Sequence, residues 1–315
     1  MTDVIHHPQP TDPVAPASPP ADKAPEGPSL LRRIVAFPLT LLVVEFAVLL
    51  FVIVAVAQGY EQFDFRSNTP GKAFGAVLVA VATIFTFKAL QRWVERVPDV
   101  EFAWAGSLKE TGAGLLLGGA IFSIAVAVVA LMGGFEVLGV RGAGQIWTML
   151  AVAIVSSVTE ETIFRGVILR HCEAMIGTWG ALAFTSGFFG LAHILNPDAT
   201  WFSSFAIAVE AGIMLGAAYL LTRRLWLAIG IHAGWNFAQG WLFSIPVSGG
   251  DAPLGLLITR RVGPEWLTGG DFGLEASVVA LVVATTAGLL MLIRAVRRDG
   301  TVPPMWVKRA AQTNE

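Results

Sequence analysis

Thr148 to Leu169 reads TMLAVAIVSSVTEETIFRGVIL. Thirteen uncharged residues, Ile146 to Val158, lead into two adjacent glutamates, Glu160 and Glu161, and Arg165 follows one helical turn later. A run of this kind predicts a helix that crosses a membrane, which takes about 20 mostly apolar residues. A charged side chain at the centre of such a helix costs ~2.5–3.5 kcal/mol on insertion scales. Two adjacent carboxylates there predict a buried site with partners on other helices.

Outward from this stretch, the rest of the chain reads the same way. Charged residues make up 14% of the 315, where a soluble domain carries about 25%, and the mean hydropathy is +0.66. The fold class expected is all-α: a polytopic integral membrane protein. The net charge of −2 gives no bulk basic character for nucleic acid. The single cysteine, Cys172, excludes an internal disulfide and a multi-cysteine metal site, and reads as a packing residue.

The first 29 residues hold eight of the 17 prolines and no apolar periodicity, a composition that cannot bury enough surface to order itself. Residues 1–29 are therefore expected to be a disordered Pro/Ala-rich tail. A secretory signal is the competing reading, but the apolar run Ile34–Ala57 exceeds the about 7–15 residues of a signal core and predicts an anchoring helix. The main domain is expected over 30–298, with a motif core at 146–247, followed by a short tail at 299–315.

Eight spans are expected, at roughly 34–57, 72–91, 111–133, 146–170, 175–196, 200–222, 225–247 and 276–293. The longest connector, 248–275, contains Arg260-Arg261 and a GPEW…LTGGDFG stretch and is expected to hold a short interfacial helix. With eight spans both termini share a side, which collects sixteen of the 21 Lys and Arg. By the positive-inside rule that side is the cytoplasm. Gly114/Gly118, Gly212/Gly216 and Gly230/Gly234 are small residues at the spacing that lets membrane helices approach closely.

Ionisable residues inside the spans fall mainly in three places: Glu160, Glu161 and Arg165 on the fourth, His193 on the fifth, and His232, with Asn236 one turn later, on the seventh. Residues four apart share a helix face, and neighbours point about 100° apart. Glu161 is thus expected to pair with Arg165, leaving Glu160 aimed elsewhere without a cation. A carboxylate so placed in a dry setting holds protons more tightly and suits a base near neutral pH. His232 and Asn236 share a face and could offer two donors to one developing oxyanion. Phe189 shares a face with His193 and could shield or orient its ring. Depth counting brings Glu160, His232 and Asn236 together near mid-membrane and puts His193 deeper.

Each element alone is also explained by interhelical hydrogen bonding or a structural ion pair; the three together point to a site. Glu45 on the first span and Glu210 on the sixth lack a motif partner. His6, His7 and His171 are assigned no chemistry.

The ordered triple Glu160-Glu161-x-x-x-Arg165, Phe189-x-x-x-His193 and His232-x-x-x-Asn236 resembles the three signature motifs of the CPBP family, the CAAX prenyl endopeptidase and bacteriocin-processing (Abi) proteins. The resemblance covers about residues 146–247, and LTGGDFG looks like bacterial members. It implies an eight-helix intramembrane endopeptidase in which Glu160 activates water, His193 helps hold it, His232 and Asn236 stabilise the oxyanion, and Glu161 and Arg165 order the site. Family members are commonly labelled metalloproteases, and Glu160, His193 and His232 could offer three ligands to Zn2+. A metal-free, glutamate-dependent mechanism is the reading preferred here, because Glu160 serves poorly as both ligand and sole base.

The partners implied are a peptide or protein substrate in or at the membrane, and the lipid bilayer itself. The Ala/Gly/Val-rich composition points to a bacterial inner membrane. Two other functions compete: a proton-coupled transporter using Glu160, His193, His232 and Glu210 as a relay, and a non-catalytic membrane immunity or scaffold protein.

Overall fold

The computed structural model describes residues 29–61 and 69–307. Most of the Pro-rich segment and the last eight residues lie outside the described residues. The path is helical: α1 (Leu30–Val35), α2 (Pro38–Glu61), α3 (Pro70–Ala89), α4 (Ser107–Leu131), α5 (Ile146–Glu161), α6 (Arg170–Ala192), α7 (Trp201–Ile207), α8 (Ile213–Thr222), α9 (Trp226–Phe237), α10 (Glu265–Thr268) and α11 (Val278–Asp299). Helix α10 is the short helix expected in the last connector.

Six of the described helices are long and apolar enough to cross a membrane, against the eight spans expected. The difference arises in two places. The expected fourth and fifth spans form one helical path, Ile146–Leu195, bent where Gly177 leaves helical geometry at φ 77° and ψ 169°. At ~1.5 Å per residue that path is far longer than the ~30 Å hydrocarbon core. The expected seventh span, α9 and its continuation Ala238–Leu242, lies at the short end of the about 17–25 residues that cross a membrane. The bend at Gly177 is covered by the described end of the chain: Thr178 N–H donates to the Val302 carbonyl at 3.0 Å, and Val302 N–H to Thr178 Oγ1 at 2.8 Å.

Helices α4 and α9 cross through their glycines. A Cβ on Gly114 would stand 2.6 Å from the Leu227 carbonyl oxygen, and one on Gly230 2.9 Å from the Gly114 Cα. Two of the three spacings noted in the sequence are thus halves of one crossing, and the backbones meet closely because no side chain separates them. The third pair faces α6, from the π-helical turn before α8 and from α8 itself: Gly212 faces Ser186, and Gly216 faces Leu182.

One element was not expected. Phe135–Val140 (β1) and Leu257–Arg261 (β2) pair antiparallel, with Glu136 opposite Arg260 and joined to it at 2.5 Å. Each strand is short and meets its partner only after 116 intervening residues, so neither shows a hairpin signal.

Apolar packing forms two clusters. Phe87, Phe102, Val167, Leu169, Phe189 and Leu225 centre one. Phe122, Ile231, Trp235, Ile245 and Leu274 centre the other, between α4, α9 and α11. The site lies where they meet.

Candidate active site

Among the described residues four stretches are wound as π-helix: Leu90–Glu95, Thr162–Leu169, Ala208–Gly212 and Ala238–Leu242. Such wide turns are uncommon and occur often at functional sites. Glu160 and Glu161 immediately precede the second, Arg165 lies within it, Glu210 lies in the third, and Asn236 is the last residue but one of the helix before the fourth.

The expected pair forms. Arg165 Nη1 donates to Glu161 Oε1 at 2.8 Å, and both side chains are essentially inaccessible. The guanidinium then reaches α7–α8, where Nη2 donates to the Ala211 carbonyl at 3.1 Å, and its flat face lies 4.5 Å from the centre of the Phe189 ring. That ring is 4.8 Å from His193 and 6.4 Å from His232, centre to centre. Arg165 thus fixes Phe189, and Phe189 forms a wall shared by both histidines.

Glu161 has a second task absent from the sequence reading. Its Oε1 also lies 2.9 Å from His232 Nδ1. A carboxylate accepts, so Nδ1 carries the proton and Nε2 points away from Glu161. There it meets Glu160, whose Oε2 is 3.9 Å away. The Glu160 side chain is about one-third exposed (31%), yet this oxygen is buried and has no hydrogen-bond partner. Glu160 is therefore wetter than the apolar sequence around it suggests, with one oxygen aimed into the protein.

His193 follows α6 in a single 3-10 turn, His193–Leu195, ended by Asn196-Pro197. Its Nδ1 lies 2.8 Å from the Phe189 carbonyl, so Nδ1–H donates and Nε2 is left as the acceptor. Depth counting separated His193 from the other groups; the structure brings it to them. Asn236 donates through Nδ2 to Ser156 Oγ at 2.9 Å, which leaves one amide N–H uncommitted. Ser156 was passed over in the sequence, although its place four residues before Glu160 puts both on one face.

His193, His232, Asn236 and Phe189 line one small cavity together with Glu210, Ser248, Glu275 and apolar neighbours. Its volume of about 30 Å3 suits a water molecule. Ser248 and Glu275 come from the last connector, which carries no periodic signal. That connector is anchored by Asn196 Nδ2 donating to the Ser248 carbonyl at 3.0 Å and by Gly249 N–H donating to the Phe272 carbonyl at 2.7 Å.

As arranged, Glu160, His193 and His232 do not offer ligand atoms within 4.8 Å of one another. Among the described residues only Glu45, Glu95 and His171 do. That buried trio has the composition of a metal site, but a cation already stands in it. Arg170 Nη2 lies 3.1 Å from Glu45 Oε2, 2.6 Å from Glu95 Oε1 and 3.3 Å from His171 Nε2. His171 Nε2 also lies 3.0 Å from Glu45 Oε2. Glu45 is thus partnered after all, in an ion-pair knot joining α2, the end of α3 and α6.

The Glu160 carboxylate thus stands beside a water-sized cavity lined by two imidazoles and an amide. Residues 142–238 match the family of the type II CAAX prenyl endopeptidases, described as Rce1-like. No curated protein and no solved structure matches the chain. The match spans all three motifs and supports a CPBP-family intramembrane protease, a hydrolase of the membrane.

Proposed function

We propose that the chain is a glutamate-dependent endopeptidase of a bacterial inner membrane, with eight passages and both termini in the cytoplasm. It hydrolyses a peptide bond in a membrane-associated or prenylated-like peptide. The observation that carries the mechanism is the fork at Glu161: one oxygen holds Arg165 and His232 together, and so turns His232 Nε2 toward Glu160.

In this mechanism Glu160 takes a proton from a water held with the help of His193 Nε2. The resulting hydroxide oxygen bonds to the substrate carbonyl carbon. The developing oxyanion meets the free N–H of Asn236 and the Nε2 side of His232. For Nε2 to donate, His232 must be in its imidazolium form, with the Glu161 carboxylate on its Nδ1 side and Glu160 on its Nε2 side. Glu161 and Arg165 act by orienting these groups. The spacing of Glu160, His193 and His232 does not fit a shared ion, so no step is routed through a metal.

The test is cleavage of a peptide library, including prenylated peptides, by purified protein in liposomes. Wild type is expected to cleave, Glu160→Gln and His193→Ala to be inactive yet folded, and strong chelators to leave the rate unchanged. Cleavage by Glu160→Gln would overturn the base assignment. Proton-coupled solute flux without any cleavage would favour the transporter.

A further inference from the structure

A second cavity lies where α3 and α5 begin, and the mechanism above does not use it. Its volume of about 380 Å3 falls within the ~300–1,000 Å3 of ligand pockets. Thr148, Met149 and Val152 line it from α5, Lys72 from α3, and Val247 and Leu254 from the last connector. Two bonds hold that connector against the start of α5. Gln145 N–H donates to the Leu254 carbonyl at 2.7 Å, and Leu254 N–H donates to Gln145 Oε1 at 3.0 Å.

Two observations join this cavity to the catalytic groups. Val247 lines it while the next residue, Ser248, lines the cavity of the histidines, so the two spaces adjoin across one stretch of backbone. Thr148, Val152, Ser156 and Glu160 are each half-buried. Each lies four residues beyond the last, a step that turns the helix by only about 40°, so they form one slowly winding accessible stripe. Ser156 on that stripe is the residue to which Asn236 donates. Beyond Glu160 the helix closes: Phe164 to Leu169 are all buried. Along this path the exposure of Glu160 therefore continues toward the cavity and not toward Arg170.

The lining decides what the cavity takes. Met149, Val152, Val247 and Leu254 are apolar, and the two charged residues, Lys72 and Asp251, have opposite signs. A charged side chain would lose hydration there and meet no net counter-charge. We propose that the cavity is a specificity subsite for a large, uncharged, apolar side chain of the peptide substrate, whose backbone lies along the α5 stripe up to Glu160. This role rests on the endopeptidase reading. Val152 stands eight residues before Glu160, or ~12 Å along the helix. An extended peptide covers that distance in about three to four residues at ~3.3 Å each. The side chain taken is therefore that of the third or fourth residue from the scissile bond.

The test compares wild type with Val152→Phe, which fills the cavity, and Val152→Ala, which enlarges it, on a position-scanned peptide library in liposomes. Wild type should prefer a large apolar side chain at that third or fourth position. In Val152→Phe, kcat/KM for such peptides should fall about 10-fold, the order of discrimination in an apolar pocket, while peptides with alanine there keep their rate. Val152→Ala should shift the preference to still larger side chains. If either variant cleaves with the wild-type preference, or slows equally on every peptide, the subsite is overturned and the endopeptidase reading stands. Binding is read separately in Glu160→Gln, with a benzophenone side chain placed at each library position in turn. Crosslinks to 148–152 or 247–254 should form from one position and be lost when Val152→Phe is added. Their absence overturns the subsite even where wild type cleaves. If wild type does not cleave, the endopeptidase reading fails and the crosslinks still decide whether the cavity takes a peptide.

Discussion

Oε1 of Glu161 accepts from Arg165 at 2.8 Å and from His232 at 2.9 Å, so a single carboxylate oxygen ties α9 to the π-helical turn after α5. The neighbouring Glu160 makes no comparable bond. Adjacent residues of one type are thus divided: one holds the site together and the other is free to react.

This division predicts opposite effects on stability and turnover. Removing one partner of a buried ion pair strands the other and costs about 3–5 kcal/mol. Glu161→Ala and Arg165→Ala should both unfold at markedly lower temperature in detergent. Glu160→Ala, at a side chain one-third exposed and 3.9 Å from the His232 ring, should melt close to wild type while losing cleavage. Equal losses of stability in the three variants, measured by thermal melts, would remove the division.

The α4–α9 crossing predicts that Gly230 is a position of size, not chemistry. A Cβ there would meet the Gly114 Cα at 2.9 Å and the backbone nitrogen of Leu115 at 3.1 Å, and backbone cannot step aside as a flexible side chain would. Gly230→Val should separate α9 from α4, carrying His232 and Asn236 away from the site. Loss of folded protein or of cleavage is expected, with Gly119→Ala as control, since its nearest neighbour would lie 3.7 Å away. Wild-type behaviour of Gly230→Val in both melting and turnover would contradict the crossing.

How much of this was legible in the sequence depends on the range of each interaction. The Glu161–Arg165 pair could be read because it closes within one helical turn, and the motif triple could be read because each motif is local. The bond from Glu161 to His232 spans 71 residues and has no periodic signature. Glu45 was left without a partner because Arg170 and His171 lie on a different helix. Glu275 was missed because it sits in an irregular connector, where position is set by anchoring contacts and not by spacing. The eight-span count met six long apolar helices because a bend at Gly177 and a short α9 are matters of backbone geometry, to which hydropathy is blind.

Arg170 is predicted to be irreplaceable by lysine. Its forked head serves both oxygens of Glu95, one of Glu45 and the ring of His171, and a single ammonium cannot reproduce that planar fork. Arg170→Lys should lower the melting temperature, and Arg170→Ala should lower it further by leaving Glu45 and Glu95 without their cation. Added Zn2+ should restore part of the loss in Arg170→Ala, where the Glu45–Glu95–His171 trio becomes free to bind it, and none in wild type. Zinc-dependent stabilisation of wild type, read in the same melts, would instead make the trio a metal site in the native protein.

Glu275 carries a prediction about pH. Burial pushes its carboxyl above the usual range, against the opposing pull of its hydrogen bonds with Ser248 and Gln239. A group that binds its proton more tightly folded than unfolded stabilises the fold while both states are protonated. That contribution declines once pH exceeds the ordinary carboxylate range, where the unfolded chain has released its proton and the folded chain still holds it. The melting temperature of wild type should therefore carry a component that falls as pH rises from that range toward the raised native value. Glu275→Gln, neutral at every pH, should lack this component and gain on wild type at the upper end of the window. Parallel melting curves for the two proteins across the same window would mean that the carboxyl is ionised in the native protein and that its charge is met by a cation.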